Sequence, residues 1–339
     1  MPMRFDHRQD AAGVPPCDFR TAVFPERAFP VAPEREAEYL AGCRRGYATM
    51  ARSRVAITGL ARDIGGVLPL TIRRLEDVAR CFADYRIFVY ENDSIDDTRH
   101  ILERWARDDR RVDIFGEPHG EPVNPSTRCL RRAQRMARYR SRCQQAVLAA
   151  GGQFDAAIVV DLDLIGGWST DGIANSFGHR GWDFLGSNGL IYRRHGLRMN
   201  EPRQYDTWAL RLDADLTPMA PADAGGMLYR RGDPLVPVTS CFGGLGIYTM
   251  DAYRTGTYGN DDLEHASFHR SLLSRGHARL FLNPSQIVVY GRRHRFGDAT
   301  ADAINRVWSA MTGRRVPPCL FRASAAPPPQ QPLPRRAAA

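Results

Sequence analysis

Lysine is absent from this chain: all 47 basic residues are arginine. That excludes chemistry needing a lysine ammonium, such as a phosphate-loop lysine or a Schiff base. Cysteine is sparse. The seven cysteines are scattered, odd in number and never spaced C-x-x-C, which argues against a disulfide framework or zinc ribbon and fits a reducing compartment. No apolar run is long enough to cross a bilayer. The opening MPMRFDHRQD lacks the apolar stretch of a secretory signal. The expectation is a cytoplasmic protein, with peripheral contact at the inner face of a membrane left open because the arms are basic.

What is present is ordinary in bulk. The 339 residues are 43% hydrophobic and 25% charged, which suits one large α/β domain or two small ones. The net charge of +9 suits nucleic acid, an anionic membrane or a phosphate ligand alike. Arginine forks well onto phosphate, but charge alone does not choose among these.

Apolar periodicity supplies the organisation. Residues 1–32 show no sustained period and read as an irregular arm. Helical spacing runs from Pro33 to Arg52, from Val67 to Phe82, from the Ser94/Asp96 region to Trp105, and from Ser126 to Ala150, where Gly151-Gly152 closes the helix. Short β-rich runs lie at Val55–Leu60, Arg86–Tyr90, Val112–Phe115 and Ala157–Val160. Strands alternating with helices at this spacing imply βαβ units and a mainly parallel sheet. Later, Thr170 to Phe177 reads as a short helix and 182–186 as strand-like. Residues 189–237 read as loop-rich, and 239–248 as an apolar Gly-rich stretch. A helix runs from Asp261 to Arg275, with strands at 280–282 and 287–290. The Pro/Ala-rich tail reads as disordered.

The chain is organised around Ala157 to Gly167, AIVVDLDLIGG. An unbroken apolar run of this length reads as a strand buried on both faces. Asp161 and Asp163 follow where it ends, and ligands of open α/β sheets bind off the carboxyl ends of strands. Two acids two apart on an extended chain face the same way. They suit one hard divalent cation, with room left for water and a substrate phosphate. The plainer alternative is one helix-capping acid and one solvated acid. Glu91 and Asn92 end the preceding parallel strand on the same edge, where a polar side chain can reach a nucleobase or ribose. For Asp96 and Asp97 helix capping is the better reading.

A strand ending in ENDSxDDT (Glu91 to Thr98), followed by a strand ending in Asp161-Leu162-Asp163, resembles a GT-A-fold glycosyltransferase. With the later E-H-x-x-F-H segment at Glu264 to His269, it resembles glycosyltransferase family 69. That family holds the cryptococcal-type α-1,3-mannosyltransferases and bacterial relatives that serve polysaccharide synthesis. The resemblance covers roughly residues 55–290. It implies a single Rossmann-like GT-A domain over 53–312, divided into a nucleotide-binding half (53–165) and an acceptor half (166–312). Residues 1–52 would precede it as an arm and helix, and 313–339 would follow as a tail. It further implies Mn²⁺ or Mg²⁺ held by Asp161 and Asp163 against the donor diphosphate, and Glu91 and Asn92 near the nucleoside. Arg62 would be a phosphate or base contact. Arg135 and Arg140 match a family arginine pair, although Ser141 stands where Asn is expected.

Asp261, Asp262, Glu264, His265 and His269 cluster at a predicted helix start. His265 and His269, four apart, share a helix face and suit a metal, but the order is not the H-E-x-x-H of zinc proteases. By the resemblance Glu264 is the residue to touch the acceptor or the transferred sugar. An inverting enzyme would use Glu264 or Asp262 as general base, whereas a retaining one, as the family implies, requires none. His269 or His294 would be a further metal ligand.

The expected activity is metal-dependent transfer of a hexose, with mannose the first candidate. The donor would be a GDP- or UDP-sugar and the acceptor a saccharide or lipid-linked hydroxyl, with no nucleic acid partner. Two alternatives stand beside it. One is a sugar nucleotidyltransferase, for which the missing lysine is unfavourable. The other is a basic non-enzymatic module for nucleic acid or anionic membrane, marked by steep salt dependence.

Overall fold

The computed structural model describes residues 21–121, 129–195, 198–219, 221–294 and Met311. Expectations for the arm before residue 21, for the opening of the fourth helix at Ser126 and for the tail 313–339 fall outside the described residues, as does the side chain of His294.

In chain order the elements are α1 (Pro33–Met50), β1 (Arg54–Ala61), α2 (Leu68–Ala79), β2 (Asp84–Glu91), α3 (Thr98–Asp108), β3 (Val112–Phe115), α4 (Leu130–Ala149), β4 (Ala156–Asp161), β5 (Gly167–Trp168) and α5 (Thr170–Gly178). They continue as β6 (Phe184–His195), β7 (Arg198–Gln204), α6 (Pro221–Gly226), β8 (Val236–Pro237), β9 (Leu245–Thr249), α7 (Met250–Thr255), α8 (Glu264–Ser274) and β10 (Leu280–His294). One sheet holds all ten strands in the order β3-β2-β1-β4-β9-β6-β10-β5, with β7 added to β6 and β8 to β10. The strands β1 to β4 are mutually parallel. The exception in the middle is β9, antiparallel to both β4 and β6. The fold is therefore a single α/β domain with a mixed, mostly parallel sheet.

Alternation along each strand builds a core on both faces of the sheet, as expected for strands buried on both sides. Val55, Ile57, Ile158 and Val160 face one way, packed with Leu75 and Val78 of α2 and Leu102 and Trp105 of α3. Ala56, Ala157 and Val159 face the other, packed with Ala137 and Val147 of α4 and Phe268 and Leu272 of α8. Helix α4 ends where Gly151 takes φ +63°, a conformation open to glycine at little cost.

The structure adds detail to two expectations. The loop-rich stretch 189–237 begins with a hairpin, because β6 runs on to His195 and returns as β7. The charged residues of that hairpin hide its period. Segments 280–282 and 287–290 are one strand, β10, interrupted by an irregularity between Asn283 and Ile287.

Helices α1 and α5 meet backbone to backbone. A Cβ placed on Gly46 would lie 1.6 Å from the Ala174 carbonyl oxygen, and one on Gly178 would lie 2.1 Å from that of Gly42. The Gly46→Ala variant is therefore expected to force the two helices apart and to lose about 1–3 kcal/mol or more. A urea midpoint that moves by less than about 0.5 kcal/mol equivalent would mean that the contact yields freely.

Candidate active site

Register brings the polar strand ends together. Leu60 of β1 pairs with Tyr90 of β2 and with Asp161 of β4, and Ala61 pairs with Glu91. Arg62, Asn92 and Asp161 thus emerge along one edge, the carboxyl edge that sequence reasoning expects to bind ligand. Because β9 runs antiparallel, its start also lies on this edge. Gly243 and Gly244 take φ +67° and +92°, and the Asp161 amide donates to the Gly244 carbonyl at 2.9 Å.

A cleft of about 60 Å³ opens here, lined by side chains of α4, β4, the segment after β7, Phe242 and the start of α8. Helix α4 supplies Arg132, Met136 and Arg140, spaced by four and so on one face. Arg140 sits at the centre, with its side chain 3% exposed. Its Nη2 donates to Asp161 Oδ1 at 2.8 Å, its Nε lies 3.8 Å from Glu264 Oε1, and its guanidinium covers the Phe242 ring at 5.0 Å. Asp161 Oδ2 accepts from the Tyr205 hydroxyl at 3.4 Å. Arg132 lies over Trp208 at 5.1 Å.

The acids here are crowded. Burial raises the Asp161 carboxyl, and Arg140 pulls it back. Burial likewise raises Glu264, again opposed by Arg140. Asp206 is pushed up to about 8 by burial first and then by the charges of Asp161 and Glu264. It also takes φ +55°, a conformation that Asp adopts more readily than most residues. Burial, followed by the charges of Asp161, Asp163 and Asp206, raises the Tyr205 hydroxyl well above its usual range. Tyr205 thus sits in acidic surroundings, bonded to Asp161.

These are hard oxygen donors of the kind that Mg²⁺ and Mn²⁺ take. Asp161 commits one oxygen to Arg140. Among the described residues no group of three His, Cys, Asp or Glu side chains is arranged to hold a metal. The donor set fits a cation shared between one or two carboxylates and a substrate phosphate, not a cage made by the protein alone.

The other expected residues lie in two places. Arg62 Nη2 donates to the Glu121 carbonyl at 2.7 Å, and Nη1 lies 3.8 Å from Asp93. Arg135 reaches the Glu121 carboxylate at 3.5 Å, with Arg138 at 2.6 Å and the Tyr139 hydroxyl also bonded to it. Arg135 is five positions before Arg140, about 140° round the helix, and faces this second cluster. Asn92 donates to Asp93 at 2.9 Å and to the Tyr139 hydroxyl at 3.3 Å. Glu91 is committed internally: it accepts from the Ser94 amide at 3.1 Å and from Arg99 at 3.0 Å. The rings of Tyr90, Tyr139 and His119 stack beside this cluster. The expected nucleoside residues thus gather around α4 and the segment after β3.

Asp262 stands apart from the cleft lining. It pairs with Arg270 at 2.9 Å and Arg211 at 3.6 Å. His269 is buried, bonded to Ser240 at 2.9 Å and Tyr248 at 3.0 Å, and burial pushes it down to about 3. Both its ring nitrogens are occupied, which leaves it no lone pair for a metal. Sequence reasoning did not assign Arg132, Tyr205, Asp206, Trp208, Phe242 or His265 to the cleft. The four-residue spacing from Arg132 to Arg140 was the available signal for the first.

No family model and no curated protein matches the chain. Several solved structures are similar in shape at low identity. The mannosyltransferase PcManGT from Pyrobaculum calidifontis, in complex with GDP-Man and Mn²⁺, is 11% identical over 85% of this chain and 76% of its own, with a TM-score of 0.45. GalNAc-T7 with UDP, GalNAc and Mn²⁺ is 12% identical over 84% of this chain, with a TM-score of 0.44, and the match spans 56% of its length. Glucosyl-3-phosphoglycerate synthase from Mycobacterium tuberculosis, in complex with Mn²⁺, UDP and phosphoglyceric acid, is 12% identical over 80% of this chain and 81% of its own, with a TM-score of 0.37. Similarity this slight leaves the reading of the site to its own geometry.

Proposed function

We propose that this chain is a GT-A-type glycosyltransferase. It moves a hexose, mannose being the first candidate, from a GDP- or UDP-sugar to a hydroxyl of a saccharide or lipid-linked acceptor. The reaction is a retaining one and uses Mn²⁺ or Mg²⁺. The observation that carries this reading is the composition of one cleft at the carboxyl edge of the sheet. Arg132 and Arg140 bring cationic charge, Asp161, Asp206 and Glu264 bring carboxylates, and Phe242 and Trp208 bring aromatic surface.

Each group has a part. Asp161 and Asp163 would hold the cation, which would supply charge neutralisation at the leaving diphosphate. Arg132 and Arg140 share that charge from the protein side. Arg62, Asn92 and Arg135 serve the nucleoside from the neighbouring cluster, with Glu91 fixing the turn beneath them through Ser94 and Arg99. Glu264 faces the sugar. Asp262 braces the start of α8 through its pairs with Arg211 and Arg270. The remaining contribution is positioning, which holds the acceptor hydroxyl close to the anomeric carbon. Among the described residues no helix is long and apolar enough to cross a membrane, so a lipid-linked acceptor would be met at a membrane surface.

The test is calorimetric titration of the protein with GDP, UDP and their sugar conjugates, with and without Mn²⁺, beside an Asp161→Ala/Asp163→Ala variant. The expected result is Mn²⁺-dependent binding of one base, weakened about a hundredfold or more in the variant. A folded wild-type protein that binds none of these ligands rules the transferase reading out. Affinity for nucleic acid or anionic vesicles that collapses with salt and ignores both aspartates would favour the basic-module reading instead.

A further inference from the structure

The inner wall of the cleft carries polar atoms that no described residue satisfies. They are Glu264 Oε2, Arg140 Nε and both ring nitrogens of His265. His265 is 2% exposed. Its ring lies flat on Phe242, with centroids 3.7 Å apart and planes at 16°, and the Tyr258 ring meets it edge-on at 6.4 Å. Packing therefore fixes its orientation. A neutral imidazole offers one donor and one acceptor. Native interiors rarely leave such a pair unmet, and a specific exception calls for a partner.

The same cleft holds groups for both parts of a nucleotide-sugar donor. Arg132 and Arg140 bring cationic charge that favours a diphosphate, whereas the Glu264 carboxylate and the His265 imidazole suit hydroxyl groups. Arg140 lies 2.8 Å from Asp161 and 3.8 Å from Glu264, so one guanidinium joins the carboxylate that suits a cation to the one that suits a hydroxyl.

Resting on the transferase reading above, we propose that His265 is a specificity-determining residue that reads hydroxyl groups of the transferred sugar. One ring nitrogen donates to a hydroxyl oxygen and the other accepts a hydroxyl proton. Glu264 Oε2 accepts from a neighbouring hydroxyl, and the C–H face of the sugar lies against aromatic surface.

His265→Phe keeps the ring and the stack on Phe242 and removes both nitrogens. His265→Gln keeps one donor and one acceptor without the ring. With Mn²⁺ present, Kd is measured for GDP, UDP, GDP-mannose, UDP-glucose and UDP-galactose on wild type and both variants, and Tm is measured without ligand. In His265→Phe the bare diphosphate is expected to bind within about twofold of wild type, while the preferred sugar conjugate weakens about tenfold or more. His265→Gln is expected to fall between. Without ligand, His265→Phe should melt no lower than wild type, because it removes buried unpaired nitrogens. Equal weakening of diphosphate and conjugate in both variants would assign His265 a structural role and overturn the proposal. Unchanged affinity for the conjugate in His265→Phe would overturn it as well, because the imidazole would then not touch the sugar. Either result leaves the transferase reading standing. If wild type itself binds nothing in the panel, that reading fails and this assignment fails with it.

Discussion

Replacing Arg140 with methionine is expected to destabilise the protein by about 3–5 kcal/mol at neutral pH, the usual cost of stripping one partner from a buried ion pair. Among the described residues, Arg140 forms ion pairs with both Asp161 and Glu264. Burial alone would lower its pKa, but the two carboxylates hold it above its usual value. Without it, Asp161 and Glu264 face each other, both already raised by burial. Their raised carboxyls keep protons that the unfolded chain loses. The deficit of the variant should therefore shrink as pH falls toward the ordinary carboxylate range and grow as pH rises. The triple variant Arg140→Met/Asp161→Asn/Glu264→Gln removes all three charges and should recover most of the loss. Urea unfolding at pH 5 and pH 8 measures this. A single variant that loses less than about 1 kcal/mol at both pH values would show that the triad does not anchor α4 to β4 and α8.

Asp206 gives the second large effect, and its sign is opposite to that of most acids. Its folded pKa of about 8 lies far above the ordinary value of about 3.9. Between those two values the folded chain keeps a proton that the unfolded chain has lost. The stability tied to this carboxyl is whole below about pH 4 and is lost as pH rises through about 8. The slope for one such group is at most about 1.4 kcal/mol per pH unit. Asp206→Asn, neutral at every pH, should match wild type near pH 4 and exceed it near pH 8. Urea midpoints at pH 5, 6, 7 and 8, with EDTA present to exclude metal, decide the matter. Parallel curves for variant and wild type would mean that Asp206 is ionised in the folded chain across this range.

The legible part of this molecule is the part whose signal is local. Ala157 to Val160 announce a buried strand, and the aspartates follow it at the edge where ligands bind. The helices α1 to α4 are periodic enough to locate within a few residues. The hairpin of β6 and β7 was hidden because its arginines and polar residues mask the two-residue period. The cleft itself was half legible. Arg140, Asp161 and Glu264, each singled out from its own motif, meet in one cleft. Tyr205, Asp206, Trp208 and Phe242 join them from segments with no period or motif of their own, and only the sheet order brings those segments to Asp161. Helix phase separates the arginines: Arg132 and Arg140 look into the cleft, while Arg135 looks toward Glu121. An arginine-rich helix read as a string of letters does not reveal that phase without its apolar stripe.

The place of β9 bears on how the molecule is made. Beside β4 the sheet has no neighbour on that side until Leu245–Thr249 has been synthesised. Until then the apolar strand Ala156–Asp161 is an open edge, a template for pairing with another chain. Closing it is a long-range event, which slows folding. A ribosome releasing this protein would therefore carry a partly finished sheet past several intervening elements. A fragment that stops before β9 is expected to be recovered as aggregate, and a chain that reaches it folds as a whole.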